Sequence, residues 1–274
     1  MVRFFDPDID KRLRESFALQ LDLRSAIARD ELVLHYQPQS TIEGEIFGFE
    51  ALIRWQHPTR GLIPPDAFIS LAEQNGMIVE LGAWALRTAC REAASWPAPL
   101  HVAVNLSPVQ FRYGDLAGLV HLTLLESGLS PNRLELEITE GVIFDDPSRA
   151  LSILRRLKSL GVKIAMDDFG TGYASMSSLQ SFPFDKIKID QSFIAGVESN
   201  APPAVIVRSI LGLGKALDIP VIAEGVETEG ERLFLIREGC QEIQGYLIGR
   251  PLPIGSYVDL INGGHLSHLE VKAS

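Results

Sequence analysis

Short apolar runs alternate with longer amphipathic segments along most of this chain. The short runs are rich in β-branched and aromatic residues and predict strands, whereas the longer segments carry the periodicity of helices. Eight strands are predicted, at residues 32–37, 46–55, 101–106, 133–139, 162–167, 186–190, 221–224 and 242–246. Because strands that alternate with helices form mainly parallel sheets, the pattern favours a single α/β domain closed as a (β/α)8 barrel.

The connections between these strands are of two kinds. Six residues, Ser40 to Glu45, join the first two strands, and this is too short for a crossover helix, so that pair is expected to be an antiparallel hairpin. Helices are predicted at 81–95, 116–127, 147–160, 204–217 and 229–238. Three of them stop before a glycine, at Gly128, Gly161 and Gly239, which is typical helix C-cap chemistry. A further helical pattern runs from about Glu15 to Arg29.

Polar residues recur at one parity of the predicted strands. In a barrel, alternate side chains of a strand point inward, and active sites lie at the C-terminal strand ends. On seven of the eight strands an acid, amide or cation takes the inward parity, opposite to the large apolar residues. These residues are Glu50, Arg54, Asn105, Glu137, Asp167, Lys188, Asp190, Glu224 and Gln244.

Such a set of buried polar groups needs compensation, since an unpaired buried charge costs several kcal/mol. Its acids and amide offer oxygen ligands without cysteine, which suits Mg²⁺ or Mn²⁺ better than Zn²⁺. The adjacent Asp167 and Asp168 can serve two ions, an arrangement that handles in-line attack on a phosphodiester. The alternative for any single acid is a solvated loop position or an internal ion pair, and Lys188 alone is more often an ion-pair partner.

Composition narrows the partners. The 274 residues include 25 Lys and Arg against 35 Asp and Glu, a formal net charge of -10 that argues against a nucleic-acid polymer. A small phosphate ligand held by metal ions stays compatible with this charge. No apolar run reaches the roughly 18 residues of a membrane helix, so no membrane contact is expected from this segment. Cys90 and Cys240 have no paired spacing, which favours a reducing cytoplasm.

Eight short motifs in order give the chain a family resemblance over about residues 15 to 260. They are Tyr36-Gln37-Pro38, Gly48-Phe49-Glu50-Ala51-Leu52-Ile53-Arg54-Trp55, Asn105-Leu106-Ser107, Glu137-Ile138-Thr139-Glu140, Asp167-Asp168-Phe169-Gly170-Thr171-Gly172, Lys186-Ile187-Lys188-Ile189-Asp190, Glu224-Gly225-Val226-Glu227 and Gln244-Gly245-Tyr246. In these motifs the chain resembles EAL domains, the family of cyclic di-GMP phosphodiesterases. The resemblance implies a TIM-like barrel whose first strand runs antiparallel to the rest, and hydrolysis of cyclic di-GMP to linear 5'-pGpG.

The resemblance also implies roles for individual residues. Two Mg²⁺ or Mn²⁺ ions are expected per active site, one held by Glu50, Asn105, Glu137 and Asp167, and the second by Asp167, Asp168 and Glu224. Lys188 matches the residue that contacts the attacking water, and Gln37, Arg54 and Gln244 match positions that hold the substrate, with Arg54 at a phosphate. Glu224 and Asp168 are the candidates for the general base, and the choice between them stays open.

Further expectations concern the surroundings of the site. Glu140 and the loop Phe169-Gly170-Thr171-Gly172 resemble elements that couple substrate, metal occupancy and dimer contacts, while Asp190 and Glu227 are expected to support the site. A homodimer is expected from the resemblance alone. Residues 1–14 look like the linker that follows a GGDEF domain, so 15–274 is expected to be an EAL domain excised from a longer cytoplasmic or membrane-tethered protein with upstream regulatory modules.

Two other functions compete with the phosphodiesterase. A non-catalytic cyclic di-GMP receptor would bind the nucleotide without turnover, but such domains have lost metal ligands, which are all present here. An unrelated metal-dependent barrel enzyme, for example one that forms an enolate, would be indifferent to cyclic di-GMP. The ordered motifs favour the phosphodiesterase over both.

Overall fold

The strands close into a barrel in the computed structural model, which describes residues 7–171 and 181–263. Nine strands lie within these residues: β1 Leu32–Thr41, β2 Ile46–His57, β3 Gly61–Ile63, β4 His101–Leu106, β5 Leu134–Thr139, β6 Lys163–Phe169, β7 Lys186–Ile189, β8 Val221–Ala223 and β9 Glu242–Gln244. The barrel consists of β1, β2 and β4 to β9 in chain order, and it closes where β1 pairs with both β2 and β9. The predicted eight-stranded α/β barrel is therefore confirmed.

The direction of β1 sets this barrel apart from a fully parallel one. β1 is antiparallel to both of its neighbours, and the other barrel strands pair in parallel. The predicted hairpin and the antiparallel first strand are thus confirmed. Strand β3 was not predicted, because its three residues are too few to show alternation; it pairs with the end of β2 outside the barrel.

Helices surround the barrel on its outer face. Their bounds are α1 Pro7–Ala26, α2 Ile69–Gln74, α3 Ile78–Ala94, α4 Pro108–Arg112, α5 Leu116–Ser127, α6 Gly141–Asp145, α7 Pro147–Ser159, α8 Ala201–Leu217, α9 Glu229–Glu238 and α10 Val258–Ile261. The bounds of α5 and α9 are those predicted from the sequence. Both helices end at a glycine with positive φ, Gly128 at 71° and Gly239 at 80°, which confirms two of the three predicted caps. Helix α7 has Leu160 as its C-cap, and Gly161 follows it with φ 91°.

Helix α1 begins earlier than the helical pattern suggests. It starts at Pro7 rather than near Glu15, and it ends at Ala26 rather than Arg29. The stretch from 7 to 14 is mostly polar and charged, so no apolar periodicity marked it as helical. The division at residue 14 therefore falls inside α1. The linker assignment itself stays a prediction, and its residues 1–6 lie outside the described part of the chain.

Two apolar clusters hold the barrel and its first helices together. The larger one fills the space between the strands and the outer helices, around fully buried residues such as Leu136 and Ile164. The smaller one packs α1 against β2 and α2 through Leu23, Trp55 and Phe68. The second cluster thus supports the strand that carries Glu50. No helix in the described segments has the length and apolar content to span a bilayer.

Candidate active site

A buried lysine lies at the centre of the inward-facing polar residues. Lys188 extends from β7 and is 1% exposed. Its Nζ lies within 4 Å of carboxylates from four other segments, at 2.7 Å from Glu137, 2.7 Å from Glu224, 3.2 Å from Asp167 and 3.9 Å from Glu50. Residues that are far apart in sequence thus meet at one end of the barrel.

Strand register brings the acids and the amide together. Asn105 of β4 is the cross-strand partner of Glu137 on β5, and Glu137 is two residues ahead of Thr139, the partner of Asp167 on β6. Asn105 Nδ2 donates a hydrogen bond to Glu50 Oε1 at 2.5 Å. The inward parity inferred from the sequence is the one that the register enforces, because side chains of a strand alternate between its two faces.

Asp167 and Asp168 reach the same site although they are consecutive. The pairing of β6 with β7 shifts register between Met166 and Phe169, and Asp168 has φ 53°, in the left-handed region. Such an irregularity re-aims a side chain that ordinary alternation would send to the other face. Oxygen atoms of Asp167, Asp168 and Glu224 consequently lie within 4.8 Å of one another.

Among the described residues of the site the acids outnumber the cations, and burial together with repulsion among the acids shifts their pKa values. Burial, and then Glu50, raises the pKa of Glu137 well above its usual range. Burial raises the pKa of Glu224 to about 8, with Asp167 adding to the shift and Lys188 opposing it. Burial, followed by Asp167, raises the pKa of Asp168 to about 6. Protons thus partly compensate the clustered carboxylates.

Glu50 and Lys188 form the ionised pair within this cluster. Burial by itself would raise the pKa of Glu50, but Lys188 and hydrogen bonds from Gln244 and Asn105 outweigh it and lower that pKa. Burial likewise opposes the charge of Lys188, but Asp167 and the other carboxylates outweigh it and hold the lysine pKa well above its usual value. The centre of the site is therefore an ammonium group next to a carboxylate.

The donor set fits a hard divalent cation. All candidate ligands offer oxygen, and three of them lie close enough to share one ion. Within the described residues, Oε1 of Glu137 is buried and receives no hydrogen bond. A buried carboxylate oxygen that lacks a donor is suited to a cation, since leaving it unpaired is costly.

Two glutamines connect the acids to strands β1 and β9. Gln244 Nε2 donates to Glu50 Oε2 at 2.5 Å and to Gln37 Oε1 at 3.0 Å. Gln37 Nε2 in turn donates to the carbonyl of Gly249 at 3.1 Å. Of the two predicted substrate-binding glutamines, Gln244 therefore contacts Glu50 directly, and Gln37 contacts Gln244.

Arg54 lies on the same face of β2 as Glu50, four residues further along the strand. Its Nη1 donates to the carbonyl of Ile53 at 2.9 Å, and no described acid lies within 4 Å of the guanidinium as an ion-pair partner, although the charges of Glu50 and Asp66 act on it from further away. The side chain is half-buried. Its guanidinium can therefore accept an anionic group from outside the chain.

A cavity of about 420 Å³ opens beside the acids, between β2, β4 and the helices α2, α3 and α4. Asn105, Asp167 and Asp168 line one side of it, and apolar side chains such as Ile69 and Leu81 line another. The cavity thus combines a polar, acidic rim with an apolar wall, as small-molecule sites do.

Glu140 and Asp190, two residues predicted to support the site, accept hydrogen bonds from different segments of the backbone. Glu140 is buried and accepts a hydrogen bond from the backbone of Gly170 at 3.0 Å, at the start of the predicted loop. Asp190 accepts from the backbone of Ser192 at 3.0 Å and contributes to the raised pKa of Asp168. Gly172 lies outside the described residues.

Glu227 is not brought to the site. Its side chain is exposed, and its backbone N–H donates to Oε2 of Glu231 at 2.8 Å, within the first turn of α9. Its position three residues after Glu224 in the sequence therefore does not bring its side chain into a described hydrogen bond or ion pair with the acids around Lys188.

One residue of the site was missed by the sequence analysis. Gln39 is 1% exposed, and its Nε2 donates to Gln244 Oε1 at 2.9 Å. Its parity on β1 is that of Gln37, which is the signal that identifies it as inward-facing.

Comparison with known proteins agrees with this architecture. The family model of the EAL domain matches residues 20–251. An uncharacterized signaling protein of Caulobacter vibrioides is 58% identical over 255 residues, which cover 93% of this chain and 32% of the relative. The bifunctional diguanylate cyclase/cyclic di-GMP phosphodiesterase MucR of Pseudomonas aeruginosa is 44% identical over 255 residues, 91% of this chain and 37% of that protein.

A solved structure has the same fold. The PaMucR phosphodiesterase in its c-di-GMP complex superposes with a TM-score of 0.85 at 44% identity, covering 88% of this chain and 99% of the other. The chain spans about a third of the length of the curated relatives it matches. It belongs to the EAL domain family.

Proposed function

We propose that this EAL domain is a metal-dependent phosphodiesterase that hydrolyses cyclic di-GMP to linear 5'-pGpG. The observation that carries the proposal is the convergence of oxygen ligands around Lys188, with three carboxylates close enough to share an ion. The name of MucR and the c-di-GMP complex of PaMucR support the choice of substrate.

We assign the metal ligands to two groups. Glu50, Asn105, Glu137 and Asp167 would hold one Mg²⁺ or Mn²⁺ ion, and Asp167, Asp168 and Glu224 the second. When bound, two such ions supply Lewis acidity at the phosphodiester and make water a better nucleophile. The acids would lose their protons as the ions bind, because ligands coordinate in the deprotonated form.

The chain's own residues supply the remaining chemistry. Lys188 is held as an ammonium group and would stabilise negative charge that develops at phosphorus. Glu224 and Asp168 lie together among the acids, and each would be a free carboxylate base once the ions have displaced its proton, so either can take a proton from water. We retain both as candidates for the general base.

We assign substrate binding to side chains of strands β1, β2 and β9. Arg54 would bind a phosphate of cyclic di-GMP, because among the described acids its guanidinium has no ion-pair partner within 4 Å. Gln37 and Gln244 would orient the nucleotide while Gln37 keeps its hydrogen bond to the carbonyl of Gly249 and Gln244 keeps its hydrogen bond to Gln37. The adjacent cavity offers apolar surface for a base.

The larger context is also a proposal. We infer a cytoplasmic homodimer attached, through residues 1–14, to upstream regulatory modules such as a GGDEF domain, with 15–274 forming the EAL domain. The free, buried thiols of Cys90 and Cys240 are consistent with a reducing compartment. Glu140 and the loop it anchors would couple the site to the dimer contact.

Chromatography of the reaction products tests the function directly. The purified protein is incubated with cyclic di-GMP and Mg²⁺ or Mn²⁺, with a chelator control, and metal-dependent 5'-pGpG is expected. The variant Glu50→Ala removes a ligand and should lower the rate more than about a hundredfold. Retention of over a tenth of the rate would refute the role of Glu50, and saturable binding without product would identify a receptor instead.

A further inference from the structure

Gln39 is connected to the acids of the proposed active site by two hydrogen bonds, through Gln244. It faces the barrel interior from β1, where it is the cross-strand partner of Gln244 on β9. Gln39 and Gln244 are 1% and 3% exposed, so water does not replace their contacts. Gln39 Nε2 donates to Gln244 Oε1, and Gln244 Nε2 donates to Glu50 Oε2.

The direction of this chain of hydrogen bonds is fixed at its acidic end. Gln244 Nε2 donates to two side-chain oxygens, Glu50 Oε2 and Gln37 Oε1, so its NH₂ group faces these two residues. The carbonyl oxygen of Gln244 then faces β1, and Gln39 meets it with a donor. Without that donor, either orientation of the Gln244 amide leaves a buried polar group without a partner on one side.

We propose that Gln39 is a positioning residue that fixes the amide of Gln244 and thereby the carboxylate of Glu50 in the orientation that binds metal. The inference rests on the proposed function, because it assigns Glu50 to a metal. The described side-chain hydrogen bond of Gln39 goes to Gln244 and not to an acid, so Gln39 would act on Glu50 through Gln244.

A double-mutant cycle on Mn²⁺ affinity tests this role without requiring turnover. Gln39→Met keeps the length of the side chain and removes the donor. It should weaken Mn²⁺ binding, measured by titration with electron paramagnetic resonance, about tenfold, as loss of a partner behind a metal ligand does. In a Gln244→Leu background the same change should alter the affinity less than about twofold, because the residue through which it acts is gone.

A second variant covers the case in which Gln39→Met does not fold, as judged by circular dichroism. Gln39→Glu has the same shape but accepts, so it turns the Gln244 amide and presents an oxygen to Glu50; the expected loss of Mn²⁺ affinity is larger. Ser40→Ala is the matched control on the neighbouring residue of β1, where the buried hydroxyl has no partner among the described residues. It should leave Mn²⁺ binding unchanged.

The outcomes separate this inference from the proposed function. Equal losses of affinity in the wild-type and Gln244→Leu backgrounds would overturn it, as would tighter Mn²⁺ binding by Gln39→Glu or no Mn²⁺ binding by the parent protein. Absence of hydrolysis in a protein whose binding cycle behaves as expected would refute the phosphodiesterase and leave the role of Gln39 intact.

Discussion

Lys186 and Lys188 face the barrel interior from the same strand, β7, but their surroundings differ. Lys186 is paired with Glu135 at 3.3 Å and Glu242 at 3.0 Å, and its Nζ lies 4.6 Å from the centre of the Phe47 ring. Lys188, two residues further toward the C-terminal end, is surrounded by four carboxylates within 4 Å. One strand thus contributes to two buried charge clusters of different balance.

The ion pairs of Lys186 contribute to the stability of the fold, whereas the charges around Lys188 belong to the proposed active site. At the N-terminal end the acids around Lys186 are few, and Lys163 and His101 lie in the same layer, with their nitrogens 3.4 Å apart. At the C-terminal end the described acids outnumber the buried ammonium group of Lys188, and burial, together with repulsion among these acids, raises the pKa of Glu137 and Glu224. An excess of buried acid lowers stability without a cation, as is common at functional sites.

The largest effect should come from removing each lysine. Lys188→Met should lower hydrolysis about a hundredfold or more, because an electrostatic contact to the transition state is lost. Lys186→Met should leave kcat within about threefold. Each variant leaves buried acids without a cation and should lose about 3–5 kcal/mol of unfolding free energy in the metal-free state, measured with urea.

Metal should distinguish the two lysine variants further. Mn²⁺ should restore part of the stability of Lys188→Met, since a dication can compensate the same acids, and it should not restore Lys186→Met beyond its effect on the parent. Equal recovery of both variants would contradict the division into a structural and a functional end.

Substitutions of two glutamates of β5 should change the free energy of unfolding in opposite directions, and by less than the lysine substitutions do. Glu137 has a folded pKa above its unfolded value of about 4.5, so it destabilises the metal-free fold increasingly as pH rises above that value. Glu137→Gln should therefore raise the unfolding free energy by about 1–2 kcal/mol at pH 8 and abolish Mn²⁺ binding at this ligand group. Glu135→Gln breaks one ion pair of Lys186 and should lower stability by about 1–3 kcal/mol.

Urea unfolding with a chelator at pH 6 and pH 8 measures both glutamate variants. The gain of Glu137→Gln over the parent should be larger at pH 8. A loss of stability at both pH values would show that Glu137 is paired as well as Glu135 and would remove the contrast.

The smallest expected effect concerns pH at the structural end. Burial, followed by Lys163, Lys186 and Arg133, lowers the pKa of His101 to about 4. Its unfolded value is about 6.5, so the unfolded chain binds the proton more readily and stability is lost as pH falls from 6.5 toward 4. His101→Gln should reduce the slope of unfolding free energy against pH in this interval by a fraction of a proton. An unchanged slope would assign the acid sensitivity elsewhere.

Much of the architecture could be predicted because strand alternation is a strict rule. Glu50, Asn105 and Glu137 follow from parity alone, since a strand in a closed barrel has one inner and one outer face. The six-residue connection after the first strand was enough to establish its antiparallel pairing. Local geometry therefore gave the barrel and the place where the polar residues meet.

The features that could not be predicted from the sequence depend on tertiary contacts. Alternation sends Asp167 and Asp168 to opposite faces, and only the register shift in β6 brings both to one side. The short elements β3, α2 and α4 have too few residues to show a period. The link from Gln39 to Gln244 depends on the pairing of strands at opposite ends of the chain, which no local pattern contains.

The reversed direction of β1 has a mechanical consequence. In a fully parallel barrel the chain comes to its first strand from the end opposite the site, whereas here α1 leads into β1 at the same end as the acids, because Leu32 pairs with Trp55 and Thr41 with Glu242. Helix α1 is fastened there by His57 Nε2, 3.2 Å from Asp22. A force applied along α1 therefore acts first on β1 and β2, the strand pair that carries Gln37 and Glu50. A displacement of this helix would thus reach the acids through these two strands before it reaches the rest of the barrel.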